Sequence, residues 1–369
     1  KVVDILTSLG MVVTPVEAGW SVVVPSYRYD LRIEVDLIEE LVRLYGYDKV
    51  VSAPIMGNLV PSVQIKSKTL PLKLKEALVH LGYYEAITYS FVSPKKQSAL
   101  FPEVTSKAIA NPMSVDQSVM RVSLLPGLLD ALHYNLNRQS SRVRLFETGL
   151  CFHIDKSGAL VQENKVAGLI IGSLDPKQWG KEDRNADFYD IKGDVERLFS
   201  LCGLSEALTW RPGSLEALHP GQSCDILIEG EFAGYLGVLH PSLVDTLGFN
   251  VPPCFFELNT ASLQRLTSVC YQEVSKFPSV RRDLALVLEA TICADELKRV
   301  VRTHAGDSLA ALDIFDVYQG ASLGDNKKSL AIGLTFCDPS RTLVEKEINH
   351  HLDQIVTGLR HDLNAVLRM

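Results

Sequence analysis

The sequence predicts an α+β, multidomain fold, and three observations carry that expectation. At 369 residues the chain is long enough for two to four domains of ordinary size. Its middle crowds strand-like runs together without the regular strand–helix alternation of a parallel sheet, which points to an antiparallel sheet with helices packed on one side. Its last hundred residues read β-α-β-β-α-β, the split-βαβ or ferredoxin-like plan.

Residues 1–52 form the first unit. Val2, Val3, Leu6 and Leu9 predict a short helix ended by Gly10, and Trp20–Val24 predicts a strand ended by Pro25. Val35, Ile38, Val42 and Tyr45 recur at helical spacing, predicting a second helix that carries them on one face, with Gly46 closing it. Residues 53–61, polar and Pro-bearing, read as a linker.

Residues 62–270 form the second unit. Leu74, Ala77, Leu78 and Leu81 mark a helix stopped by Gly82, with a strand over Glu85–Phe91. Leu125, Leu128, Leu129, Leu132 and Leu136 mark another helix face. Strands are expected at Val143–Thr148, Cys151–Ile154, Val166–Gly172, Cys224–Ile228, Ala233–Val238 and Cys254–Leu258, with a helix over Asp187–Leu201. Residues 271–369 form the third unit: strand Asp283–Leu288, helix Ala294–Thr303, strands Leu309–Tyr318 and Lys328–Cys337, helix Val344–Leu359 and strand Leu363–Leu367.

Composition narrows the function classes. Hydrophobic residues make up 46% and charged residues 22%, enough apolar material to fill several cores. No apolar run approaches the ~20 residues of a membrane span. The seven cysteines (151, 202, 224, 254, 270, 293 and 337) stand far apart, with an odd total and no CxxC, which favours a reducing, cytoplasmic setting over a disulfide or zinc framework. The chain opens on Lys1 without a leader pattern, so a fragment of a longer polypeptide is expected. A net charge of −7 gives no bulk electrostatic signal for nucleic acid, so any such role must be local.

The sharpest local constellation runs from Arg28 through Asp30 and Glu34 to Asp36, Glu39 and Glu40. On a helix beginning near Glu34, Asp36, Glu39 and Glu40 share one face, and Asp30 on the preceding loop can fold back onto it. Such carboxylates repel unless something neutralises them. An all-oxygen set suits a hard ion such as Mg²⁺. Acidic residues also favour a helix's first turn through its dipole, and a partner's Lys or Arg would serve equally. Spacing leaves all three readings open.

Elsewhere the chemistry is incomplete. Arg142, Arg144 and Glu147 could clamp a phosphate and a base, or be charges at the ends of an ordinary strand, and no Gly-rich phosphate cradle accompanies them. His219 and His240 each precede Pro and read as structural turn histidines, with no nucleophile beside them. In the third unit, Arg281 and Arg282 enter the first strand, Phe315 to Tyr318 leaves the second, and Lys327 and Lys328 open the third. Aromatics beside cations can stack and clamp single-stranded bases, although 12 Lys and Arg stand against 14 Asp and Glu there, so a merely solvated face is equally open.

These residues resemble a known family. Val24–Asp30 through Asp36–Glu40 to Leu44–Asp48 resembles the B5 domain, a winged-helix-like module, of the phenylalanyl-tRNA synthetase beta-subunit family. Asn111–Ser114, Ser123–Gly127, Leu145–Gly149 and Leu218–Gln222 resemble that family's central domain, a class II synthetase-like antiparallel sheet domain, and Phe277–Asp283 with Phe315–Tyr318 resembles its ferredoxin-fold anticodon-binding domain. The resemblance spans essentially the whole chain, in the family's order.

The resemblance implies an α2β2 heterotetramer that joins phenylalanine to its tRNA with ATP and magnesium. It places the ATP-using active site on the alpha subunit and leaves this chain a catalytic-like domain without chemistry, so no catalytic residue is assigned. It implies Mg²⁺ ligation at Asp30, Asp36, Glu39 and Glu40, and, with the editing domain unmatched, no hydrolytic editing. On that reading the first unit is a partial B5 module and the chain scaffolds the alpha subunit and binds the tRNA anticodon region, with Arg281, Arg282, Asp316, Tyr318 and Lys328 nearest the anticodon. The alternative reading is a winged-helix regulator with a ferredoxin-like ligand sensor, against which stand 5 Lys and Arg to 8 Asp and Glu in residues 1–52. A self-sufficient ligase would need a nucleotide site on this chain.

Overall fold

A computed structural model describes the chain except for residues 58–65, 214, 265–270, 272, 321–322, 325 and 369, and except for the side chains of residues 66–69. The end of the expected linker, both edges of the expected middle unit and Cys270 lie outside the described residues. The chain divides into two compact units, residues 1–63 and 64–369.

In the first unit, α1 (Val2–Ser8) leads into a hairpin of β1 (Val12–Val16) and β2 (Gly19–Val23), followed by α2 (Glu34–Tyr45). Leu6, Met11 and Leu31 form a small core, and Leu37 and Leu41 of α2 pack against it. The stripe of Val35, Ile38 and Tyr45 is exposed instead. α2 carries two apolar stripes, and only contact with the hairpin and α1 selects which one is buried, which helical periodicity cannot specify. Gly46 does close the helix, at φ 104°, a backbone region that favours glycine. Strand β1, with only Val12, Val13 and Val16 to signal it, lies outside the expected strands.

The second unit is built on a seven-stranded sheet. It comprises α3 (Lys66–His80), β3 (Tyr84–Glu85), β4 (Phe91–Val92), α4 (Pro94–Leu100), β5 (Val119–Met120), α5 (Leu125–Leu136), β6 (Val143–Ile154), β7 (Leu160–Ile171), α6 (Phe188–Leu201), β8 (Leu208–Pro212), β9 (Leu218–Ile228), β10 (Glu231–Leu239), α7 (Pro241–Leu247), β11 (Cys254–Asn259) and α8 (Thr260–Leu263). The sheet order is β3-β6-β7-β11-β10-β9-β8, antiparallel except where β3 meets β6.

Helices cover both faces of this sheet, not one as expected. Leu74 and Leu78 of α3 and Ile191, Val195, Leu198 and Phe199 of α6 pack on the face bearing Phe146, Ile170 and Phe256. Leu125, Leu128, Leu129 and Leu132 of α5 and Val244 of α7 pack on the face bearing Leu145, Leu169 and Phe255. A strand buried on both sides reads as an unbroken apolar run, as in Ala167–Ile171, and gives no alternation from which to infer an open face. Gly168 is required at this centre, because a Cβ there would stand 2.5 Å from the Phe256 ring.

Other elements depart from expectation through local contacts. The single strand expected over Glu85–Phe91 is two short ones, because Thr88 turns aside to donate from its backbone N–H and hydroxyl to Glu147 (3.3 and 2.7 Å). The two strands expected over Val143–Ile154 are one continuous strand, β6. Strand β8 and helices α4 and α7 lie outside the expected elements.

The C-terminal part comprises β12 (Val280–Glu289), α9 (Ala294–Ala305), β13 (Leu309–Tyr318), β14 (Lys327–Phe336), α10 (Glu345–Leu363) and β15 (Val366–Leu367). Its sheet order, β13-β14-β12-β15, is antiparallel throughout and is that of a ferredoxin-type fold. Helices α9 and α10 cover one face through Leu297, Val301, Ile348, Ile355 and Leu359, and among the described residues no helix packs on the other. The expected last strand, Leu363–Leu367, shrinks because α10 runs on to Leu363 and ends at Asn364, whose φ of 50° makes a left-handed cap.

Candidate metal centre and nucleic-acid interface

The carboxylate cluster of the first unit is held by arginines and backbone. The loop before α2 places Arg28 between Asp30 and Glu40, with Nη2 2.8 Å from Asp30 Oδ2 and 3.1 Å from Glu40 Oε1. Arg43, one turn along α2, adds a second guanidinium 2.7 Å from Glu40 Oε2. The hydrogen bonds from Arg28 and Arg43 hold the Glu40 carboxyl down to about 2. Asp36 occupies the third helical position and accepts the backbone N–H groups of Arg32 (2.8 Å) and Ile33 (3.0 Å), which depress its pKa although nearby Asp30 opposes them. Glu39 is exposed, with no polar partner among the described residues.

Thus Asp30 and Glu40 meet on one guanidinium, Asp36 lies near Asp30 but is turned to the backbone, and Glu39 stands apart. Among the described residues, no three His, Cys, Asp or Glu side chains stand together as donors for a metal ion. The cation between Asp30 and Glu40 in this fold is Arg28, so an ion held by the four carboxylates requires that guanidinium to move.

Several charges of the middle sheet are buried in it. Arg121 donates to Glu147 (2.6 Å), with Thr88 closing the group. Arg144 meets Asp194 at 3.3 Å, and Asp194 also accepts from the Tyr83 hydroxyl at 2.8 Å. Buried Glu257 accepts from Ser123 Oγ (2.7 Å), the Leu124 N–H (2.8 Å), Lys165 Nζ (2.9 Å) and Tyr235 Oη (3.0 Å). Buried polar groups satisfied by each other in this way fix a core, which answers the clamp expected of Arg144 and Glu147: both are structural. His219 Nδ1 accepts from Gly221 N–H at 3.0 Å and His240 caps α7, the turn roles expected of them.

The uncovered face of the C-terminal sheet is the nucleic-acid candidate. Leu330, Ile332, Leu334 and Phe336 of β14 enter the core, so its odd-numbered positions, and those paired with them on β12 and β13, face outward. That alternation brings Arg281, Asp316 and Tyr318 to one face. Arg281 lies 5.6 Å from the Phe315 ring and 3.6 Å from Asp313, and Arg368 lies 5.1 Å from the Tyr318 ring. Two of the expected residues are elsewhere. Arg282 turns to the helical side, 3.7 Å from Glu345. Lys328 Nζ donates to the Ala290 and Ile292 carbonyls at 2.9 and 2.6 Å, stapling the loop after β12.

Comparison with known proteins follows this geometry segment by segment. The phenylalanyl tRNA synthetase beta chain CLM domain matches residues 55–260, more than half of the chain. The chain belongs to the phenylalanyl-tRNA synthetase beta-chain family. The tRNA synthetase B5 domain matches residues 1–47 and a ferredoxin-fold anticodon binding domain matches residues 275–368. The phenylalanine–tRNA ligase beta subunit of Pseudomonas fluorescens is 44% identical over 369 residues, covering 100% of this chain and 46% of that protein. Those of Methylococcus capsulatus and Coxiella burnetii are 43% and 39% identical over the same shares. The chain thus spans about half the length of the curated relatives it matches. A pyrrolysyl-tRNA synthetase from Desulfitobacterium hafniense overlays 54% of this chain and 68% of its own at a TM-score of 0.42 and 16% identity, too loose to carry an argument.

In this family member, sequence reasoning missed Asp313 and Arg368 on the outward sheet face. Asp313 was legible as an alternate position on a strand already expected. Arg368 was not, since only the pairing of β15 beside β12 brings the chain end to Tyr318.

Proposed function

We propose that this chain is the C-terminal part of a phenylalanine–tRNA ligase beta subunit, which supports ATP-dependent attachment of phenylalanine to its tRNA without an active site of its own. Residues 1–52 would be the winged-helix-like B5 module, 62–270 a class II synthetase-like domain that scaffolds the alpha subunit, and 271–369 the anticodon-binding domain. An α2β2 assembly in the cytoplasm, with ATP bound by the alpha subunit, goes with this reading.

The observation that carries it is the uncovered face of the C-terminal sheet, where Arg281, Phe315, Asp316, Tyr318 and Arg368 put aromatic rings beside cations. Ring faces accept stacked bases, guanidiniums contact phosphate or stack, and Asp316 can accept a hydrogen bond from a base edge. The matches across all three segments leave the regulator alternative without support.

The Mg²⁺ reading of Asp30, Asp36, Glu39 and Glu40 belongs to the same proposal. All four lie on one loop–helix junction, and an ion there requires Arg28 to withdraw. Elemental analysis of the dialysed assembly, wild type against Asp36→Ala with Glu39→Ala, tests it; equal magnesium in both sinks it.

Size-exclusion chromatography with the matching alpha subunit tests the scaffold. Co-elution as a stoichiometric complex is expected, and two separately eluting folded proteins would refute assembly by this part of the chain. Titration with phenylalanine tRNA and an anticodon-substituted copy tests the other half: equal affinities would refute anticodon recognition.

A further inference from the structure

A second cationic site lies on the seven-stranded sheet unit, away from the C-terminal sheet face. A cleft of about 470 Å³ opens where the end of α3, the start of β6, the loop after β7 and α6 come together. Four cationic side chains line it, Arg142, Arg144, Lys181 and Arg197, against three carboxylates, Asp175, Asp190 and Asp194.

Each carboxylate already has its own cation. Asp175 pairs with Lys181 at 2.9 Å. Asp190 takes both Nη atoms of Arg184 at 2.7 Å, a two-pronged ion pair. Asp194 is shared by Arg144 and the Tyr83 hydroxyl. Arg142 and Arg197 are left over. Arg142 is half-buried, and its guanidinium donates only to the Leu174 carbonyl, at 3.1 and 3.4 Å. Arg197 is exposed and makes no side-chain hydrogen bond or close ion pair among the described residues.

Two guanidiniums with no carboxylate within hydrogen-bond distance among the described residues, in a cleft where four cations face three carboxylates, are an arrangement that an anion relieves. Burial, and after it the neighbouring Arg144, work against the charge of Arg142, which Asp175 only partly offsets, and a bound oxyanion would stabilise it further. Tyr189 lines the same cleft with its ring exposed, a surface on which a base or sugar next to a phosphate can rest.

We propose that this cleft binds a phosphate group through Arg142 and Arg197, and that the phosphate belongs to an RNA backbone. The RNA source rests on the function proposed above; the phosphate site does not.

The test uses the assembly with the alpha subunit and two probes, unfractionated tRNA and inorganic phosphate. Arg197→Gln removes no intramolecular bond and should fold normally; Arg142→Gln is added in a double variant. Lys95→Gln, the same charge change on an exposed helix, controls for bulk electrostatics.

Fluorescence anisotropy over a salt series should show the affinity for tRNA falling roughly three- to tenfold for Arg197→Gln, with the slope of log K against log salt smaller by a fraction of a unit, and by about 1 in the double variant, the slope carried by one phosphate. Lys95→Gln should leave the slope unchanged. Broadening of the phosphate ³¹P resonance by the wild type should vanish in the double variant. Loss of the phosphate effect with unaltered tRNA curves supports the site but assigns it to a small phosphorylated molecule. Identical results for wild type, double variant and control with both probes overturn the proposal. A Tyr318→Ala variant separates the two readings: unchanged tRNA binding there, with loss in Arg197→Gln, refutes the sheet-face interface and leaves the cleft standing.

Discussion

Arg28 Nη2 stands 3.1 Å from Oε1 of Glu40, a carboxylate buried on the helix that follows. The pair ties the loop before α2 to the helix body, and Arg43 closes Glu40 from the other side. Two of the four carboxylates expected to hold a metal, Asp30 and Glu40, are thus paired with arginines of their own module.

That contact makes the first unit acid-sensitive. Glu40 is held near 2 in the fold against 4.5 as the ordinary value. A depressed folded pKa means that its stabilisation is fully present above pH about 4.5 and is lost as pH falls toward about 2. Circular dichroism melts should show the wild-type module losing stability across that window. Glu40→Gln should be less stable at pH 7 and should flatten the dependence. A variant with the wild-type acid profile would show that another group governs it.

The buried Glu257 is the largest single polar anchor of the seven-stranded sheet. Glu257→Ala leaves the half-buried Lys165 without its carboxylate and strands the donors of Ser123 and Tyr235. Breaking a buried charge pair in this way costs about 3–5 kcal/mol. Denaturant unfolding should show a loss of that size, and a loss under 1 kcal/mol would mean that water replaces the contacts.

Packing at the sheet centre is equally demanding. Gly168→Ala puts a methyl 2.5 Å from the Phe256 ring and 3.2 Å from that of Tyr83. Both rings are buried and neither can withdraw freely, so overpacking should cost about 1–3 kcal/mol, read as a lower Tm. The paired change Gly168→Ala with Phe256→Leu should recover part of it.

The C-terminal sheet separates two kinds of residue that look alike in sequence. Tyr318→Ala and Arg281→Ala should weaken tRNA binding, the tyrosine by about 1–3 kcal/mol if a base stacks on it, with little change in Tm. Lys328→Ala should do the reverse, lowering Tm through the loss of its bonds to Ala290 and Ile292 while leaving tRNA affinity intact. Affinity and melting curves on the same three proteins decide it, and a weakened but normally folded Lys328→Ala would return that lysine to the interface.

Most elements were legible in the sequence where one signal was enough. Leu125 to Leu136 repeats at helical spacing over three turns and is a helix, and the βαββαβ order of the last hundred residues became a four-stranded antiparallel sheet with two helices on one face. Signals were absent where tertiary contact does the work. The run over Glu85–Phe91 has strand composition throughout, but Thr88 leaves the strand to reach Glu147, 59 positions along the chain.

By itself the sequence determined the local elements, the acidic loop–helix junction at Asp30 to Glu40 and the rings and cations of the last unit, because each depends on neighbours within a few residues. The tertiary structure decided which face each one shows. It packed Leu37 and Leu41 against the small core and left Val35 and Ile38 exposed, since a helix with two apolar stripes is oriented only by what packs on it. It turned Lys328 inward and brought Arg368 to Tyr318, since strand register, set by pairing across the sheet, assigns every side chain its face.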